Sequence, residues 1–242
     1  MRLQNKKVFV AGVSRGLGYA VAHMALKEGA EVTINARDGG KLSQLVSTLS
    51  RYGKIHSVKG DLSTPQNAKE VINTAVREMG GLDGLVITVG GYVEDSVENP
   101  SGLEEMLTNH VKVPIYVVGA ALPHLKGGAS VVMVSSMAAI NVADPSQLSY
   151  ASAKASMVKL VEVLASELLD RGVRVNGIAP TSIRGDFEPD QDWTSTRKLG
   201  DDSAPPGDFA RVAIWLLTSE SEWVDGVVIP ADGGARLKRR GG

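Results

Sequence analysis

Val8-Phe9-Val10-Ala11-Gly12-Val13-Ser14-Arg15-Gly16-Leu17-Gly18 is the stretch on which the fold is decided. A short apolar run enters a turn carrying three glycines. Apolar residues then recur at Leu17, Ala20, Val21, Met24 and Ala25, the spacing of one helix face. Glycines between a strand and a helix let a diphosphate approach the backbone, and the helix N-terminus supplies N–H donors and partial positive charge. The spacing is G-x3-G-x-G, not G-x-G-x-x-G, and a chain with 27 glycines offers many such triplets. The strand–helix context therefore carries the inference, and a tight turn without a ligand is the alternative. The same residues also read as G-x-S-x-G, the serine elbow of α/β-hydrolases. That elbow would sit on the first strand, with no earlier strand to supply a second oxyanion donor. The last histidine is His124, so a late catalytic base is missing.

Outward from this turn, short β-branched runs recur at 32–36, 55–58, 85–89, 131–134, 173–179 and 227–229. Most lack in/out alternation, as parallel strands covered on both faces do. Segments of helical period separate them. After Pro65, for example, Ala68, Val71, Ile72, Ala75, Val76 and Met79 form one face, with Ser63 or Thr64 as cap. The alternation predicts a doubly wound α/β (Rossmann) parallel sheet of about seven strands, helices on both faces, in one domain over 1–242. No repeat or linker divides the chain. The irregular stretch 181–207, with Trp193 and the Pro205-Pro206 pair, is long for a connection and is expected to cover a substrate site.

Composition narrows the function classes. The 242 residues carry 43% hydrophobic and 22% charged side chains with a net charge of −1, which argues against disorder and against binding nucleic acid through bulk charge. The one dense basic run is Lys238-Arg239-Arg240. There are no cysteines, which removes disulfides and thiolate chemistry, and the four histidines show no metal-ligand spacing. No apolar run approaches the length of a signal core or a bilayer span, so a cytoplasmic protein with no membrane partner is expected.

Two charge arrangements point to chemistry. Where an acidic residue would hold the adenosine ribose, at the end of the second strand, the chain has Ala36 followed by Arg37, and Arg15 projects from the glycine turn. Two guanidinium groups and no carboxylate favour a 2′-phosphate, hence NADP(H) over NAD(H); the alternative is a solvated Arg37 with Asp38 as partner. Tyr150 and Lys154 stand at i and i+4 on one helix face. A neighbouring cation is expected to lower the phenol pKa and fit it for general acid–base work. The run ending in Ser135-Ser136 precedes them and offers a hydroxyl that could polarise a carbonyl.

Along nearly its whole length the chain resembles the short-chain dehydrogenase/reductase family, its 3-oxoacyl-[acyl-carrier-protein] reductases among others. The residues that carry the likeness are Gly12, Gly16 and Gly18, Asp61-Leu62, Ser136, Tyr150, Lys154, the segment Arg174 to Pro180, and the Asp232-Gly233-Gly234 close. The resemblance implies that Asp61 and Leu62 meet the adenine. It implies that Tyr150 transfers the proton, that Ser136 holds the substrate oxygen, and that Lys154 lowers the tyrosine pKa and binds the nicotinamide ribose. Ser14, Leu17, Gly90, Pro180 and Ile183 are then expected to line the cofactor as well. The family's Asn-Asn-Ala-Gly reads Ile87-Thr88-Val89-Gly90 here. Its Pro-Gly and the later threonine are lost from Pro180-Thr181-Ser182-Ile183-Arg184-Gly185, where Thr181 or Ser182 could substitute. Its catalytic asparagine falls on His110 by gap-free matching and on Asn109 after a one-residue shift. The expectation is an NADP(H)-dependent carbonyl reductase or alcohol dehydrogenase acting on a small-molecule or acyl-thioester carbonyl, with the 3-oxoacyl type preferred over sugar or small-alcohol dehydrogenases. A cofactor sensor without turnover is the alternative from another class. Apolar residues on two sides of the Tyr150 helix, with the resemblance, imply a homodimer or homotetramer.

Overall fold

The computed structural model describes residues 1–141 and 143–238, so Arg239 and Arg240 of the basic run lie outside the described residues. The elements in chain order are β1 (Lys7–Ala11), α1 (Leu17–Lys27), β2 (Glu31–Ala36), α2 (Gly39–Leu49), β3 (Ile55–Lys59), α3 (Pro65–Met79) and β4 (Leu82–Ile87). The second half holds α4 (Leu103–Leu107), α5 (Val113–Ala121), β5 (Leu125–Val134), α6 (Leu148–Leu168), β6 (Arg174–Pro180), β7 (Ser182–Ile183), β8 (Ser203–Ala204), α7 (Pro206–Leu217) and β9 (Val228–Ala231). Seven strands form one parallel sheet in the order β3-β2-β1-β4-β5-β6-β9. The order reverses direction between β1 and β4, and at such a switch point the crossovers diverge and leave a crevice beyond the strand C-termini.

The period of two along each strand sorts the core into two layers. Val8, Val10, Val32, Ile34, Val132 and Ile178 face α1, α2 and α7. Phe9, Ala11, Leu85, Ile87, Val131 and Val175 face α3, α5 and α6. Both faces being covered explains why the strands read as continuous apolar runs. Helix starts follow local chemistry: the Thr64 hydroxyl accepts from the Asn67 N–H ahead of Pro65, and the Asp38 carboxylate accepts from the N–H groups of Gly40 and Lys41.

Two details differ from the sequence expectation. β5 begins at Leu125, which pairs with Leu82 of β4; the register then shifts, and pairing resumes at Ser130, Gly84's partner, where the apolar run starts. The 181–207 stretch is not a free loop. It holds the β7–β8 pair, and Phe187 is buried against Tyr19, His23 and Trp193. Among the described residues no helix is long and apolar enough to cross a membrane, and no His/Asp/Glu cluster could hold a metal ion.

Candidate active site

The glycine turn sits at the C-terminal end of β1, against the crevice. Gly12 has φ +78, and a Cβ there would lie 2.6–2.8 Å from Val89 atoms, so only glycine turns the chain at this point. A Cβ at Gly18 would lie 2.6 Å from the Thr88 hydroxyl; its absence lets α1 pack close to β4. At Gly16 a Cβ would meet no protein atom within 4 Å. The open space lies over the start of α1, which has no side-chain cap and no acidic residue in its first turn. An uncapped helix N-terminus under open space fits a dinucleotide diphosphate. Thr88, where the resembled family has asparagine, donates its hydroxyl to the Ala11 carbonyl at 2.9 Å and so still ties β4 to the turn.

A cleft of about 900 Å³ runs from this turn to the head of α6. Ser14, Gly16, Leu17 and Gly18 line one end, and Gly90, Pro180 and Ile183 its middle. Ser136, Tyr150, Lys154 and His110 line the other end. The remaining sequence candidates lie outside its walls. Arg15 and Arg37 are exposed near the β1 and β2 ends, Asp61 is half-buried beside the Ser63 hydroxyl, and the Leu62 side chain is in the core. Thr181 and Ser182 both line the cleft, but Thr181 spends its hydroxyl on the Asp202 carbonyl at 2.6 Å. Of the irregular stretch, only Thr181, Ser182, Ile183, Gly185 and Asp186 border the cleft. Trp193 does not; it packs on Phe187 and under the Arg211 guanidinium.

β5 and α6 set the reacting groups. Ser135 donates its hydroxyl to the Lys154 carbonyl at 3.0 Å, which pins α6 to the end of β5 and leaves Ser136 at the cleft wall. The Lys154 ammonium donates to the Val134 carbonyl at 2.7 Å and lies 5.7 Å from the Tyr150 ring centre. The expected lowering of the tyrosine pKa is not found. Burial pushes the Tyr150 phenol up, although the Ser136 hydroxyl works in the other direction. Burial also brings the Lys154 amine down to about 7. The physical reason is that burial penalises the charged form of each group, the phenolate and the ammonium alike.

His110 sits at the centre of a π-helical turn, Thr108–Lys112, that joins α4 to α5. Pro114 has no N–H to give to the carbonyl four residues back, that of His110, and the helix widens there. The His110 ring is fully buried, 5.7 Å from the Tyr150 ring. Its Nε2 lies 3.1 Å from the Gly91 carbonyl oxygen, which can only accept, so Nε2 carries the hydrogen and Nδ1 is a bare acceptor without a protein partner. Burial and the Lys154 charge hold this imidazole at about 3. Asn109 is directed to Gly91 and does not line the cleft.

Two further residues belong to the site and escaped the sequence. Tyr92 stands edge-on to Tyr150 with ring centres 5.0 Å apart. Asp95 is buried and hydrogen-bonded to Ser149, the neighbour of Tyr150. The contact across more than 50 positions has no local sequence signal.

The short chain dehydrogenase family model matches residues 6–194. The human dehydrogenase/reductase SDR family member 4 is 30% identical over 96% of this chain and 88% of its own length. A glucose 1-dehydrogenase from Gluconobacter oxydans is 29% identical over 98% of this chain and 94% of its own length. Among solved structures, a short chain dehydrogenase from Burkholderia cenocepacia in complex with NADP superimposes with a TM-score of 0.87, at 27% identity, over 97% of this chain and 99% of that one.

Proposed function

The chain belongs to the short-chain dehydrogenase/reductase family of oxidoreductases, and from that premise we propose that it is an NADP(H)-dependent enzyme interconverting a carbonyl and a secondary alcohol. The observation that carries the reading is the meeting of Ser136, Tyr150 and Lys154 in one cleft that continues to the open space over Gly16. When bound, the nicotinamide supplies or accepts the hydride at the substrate carbon.

The protein's own groups do the rest. The Ser136 hydroxyl holds the carbonyl oxygen. Tyr150, kept protonated by burial, is the acid that delivers a proton to that oxygen during reduction. Lys154 can resupply the phenol because its amine, near 7, exchanges protons readily at neutral pH. His110 stays neutral at that pH, so it serves as a fixed acceptor beside the lysine and not as a proton carrier.

The preference for the 2′-phosphate rests on Arg15 and Arg37. Asp38, the nearest carboxylate in sequence, is engaged in capping α2, which leaves the Arg37 guanidinium for a ligand. The test is loss of NADPH absorbance against a panel of 3-oxoacyl thioesters, sugars and small ketones. Turnover of any of them supports the reading. Quenched NADPH fluorescence with turnover of none would make the protein a cofactor sensor instead.

A further inference from the structure

The helix that carries Tyr150 and Lys154 has no cap of its own. Gln147, at its N-cap position, makes no side-chain bond to the first turn. The cap comes instead from Asp95, 54 residues upstream. One oxygen of its carboxylate accepts from the Ser149 N–H at 3.0 Å, and the other accepts from the Ser149 hydroxyl at 2.6 Å and from the Gly102 N–H at 3.0 Å. Two backbone bonds reinforce the junction, from the Asp95 N–H to the Ser146 carbonyl at 2.9 Å and from the Leu148 N–H to the Asp95 carbonyl at 3.4 Å. Gly102 is required at its place: a Cβ there would lie 2.6 Å from the Val93 Cβ and 3.2 Å from the Asp95 carboxylate. The loop 91–102 is thus closed on one carboxylate, and the same carboxylate starts α6.

That loop also bears Tyr92, whose ring meets Tyr150 edge-on at 76°. Two walls of the cleft, one aromatic and one carrying the reacting phenol, therefore share a single buried fastening. Charge-assisted bonds to a buried carboxylate are short and directional, so they fix position better than an exposed cap would. We infer that Asp95 is a positioning residue for the reaction proposed above: it sets the spacing of Tyr92 and Tyr150, and through it the placement of the phenol against the substrate oxygen. Its role rests on that reading of the function. It does not touch the substrate itself.

Asp95→Asn keeps the shape and removes one acceptor, turning an N–H group toward other donors. In the variant kcat falls by ~10–100-fold, the loss expected when charge-assisted bonds that orient a reacting group are broken. The NADPH dissociation constant, read by fluorescence, stays within about twofold. Tyr92→Ala costs less on the Asp95→Asn background than in the parent, because the ring has already lost its setting. A kcat within about twofold of the parent, or equal Tyr92→Ala losses in both backgrounds, overturns the inference. Should Asp95→Asn fail to fold, Ser149→Ala removes the hydroxyl bond alone; an unchanged kcat in that variant also overturns it. If the parent protein turns over no carbonyl, the functional reading fails separately. Amide hydrogen exchange then decides the fastening. Faster exchange at both Gly102 and Ser149 in Asp95→Asn, or in Ser149→Ala if the former does not fold, is expected, and unchanged protection of either overturns it.

Discussion

Replacing Lys154 with methionine is expected to stabilise the cofactor-free protein at low pH and to destabilise it at high pH. The amine is 4% exposed and its hydrogen-bond partner is a backbone carbonyl. In the unfolded chain it titrates at about 10.4, whereas burial brings it to about 7 in the fold. Between those values the unfolded chain holds a proton that the folded chain has released. Stability therefore climbs as pH rises through this window, by up to ~1.4 kcal/mol per pH unit. Below pH 7 the whole penalty of the buried charge is present, at most ~5 kcal/mol and, after relaxation and water entry, about half of that. Methionine removes the penalty and fills a similar volume, but it leaves the Val134 carbonyl without its donor, at a cost of ~1 kcal/mol. The balance favours the variant by ~1–2 kcal/mol at pH 6 and reverses near about pH 10, where the linkage term has shrunk below the cost of the lost bond; by about pH 11 the wild-type amine is largely neutral in both states. Urea denaturation at pH 6, 8 and 11 reads both signs. Equal destabilisation at all three, or a wild-type stability flat from pH 7.5 to 10, would refute the buried-charge argument.

Other expectations concern the cofactor end and the buried imidazole. Arg37→Asp raises the NADPH dissociation constant by ~10–100-fold, as loss of a charge-assisted contact to phosphate implies, and leaves NADH nearly unaffected; equal effects in a fluorescence titration would remove Arg37 from the phosphate site. His110, held at about 3 in the fold, is more readily protonated in the unfolded chain. Stability accordingly falls as pH drops from about 6.5 toward 3, and His110→Gln flattens part of that fall, His23 at about 4 accounting for more. The kcat–pH profile of His110→Gln should keep the wild-type shape between pH 5 and 8. A vanished inflection there would make the imidazole a proton carrier.

The sheet was legible because each strand is covered on both faces and each helix on one. That leaves continuous runs such as Val131 to Val134 and periodic faces such as Ala68 to Met79 in the chain itself. The glycine turn was legible too, since Gly12, Gly16 and Gly18 answer to backbone geometry within seven residues. Electrostatics was not. The i,i+4 spacing of Tyr150 and Lys154 shows that a cation is close, but burial decides the sign of the phenol shift, and burial is a property of the packed cleft. Trp193 is similar: nothing near it in sequence says that Phe187 and Arg211 will hold it away from the cleft. Tyr92 and Asp95 owe their places to contacts with α6, more than 50 positions away. Thr88 shows the reverse case: at a position that departs from the resembled motif, its hydroxyl bonds the Ala11 carbonyl and ties β4 to the glycine turn.

Tyr150→Phe tests the account most directly, with NADPH-dependent carbonyl turnover and NADPH fluorescence measured on the same preparation. Removing the one hydroxyl that delivers the proton is expected to lower kcat by ~10²–10⁴-fold, while the nucleotide binds as before. A phenylalanine variant that reduces the carbonyl at the parent rate would contradict the assignment of Tyr150 as the acid.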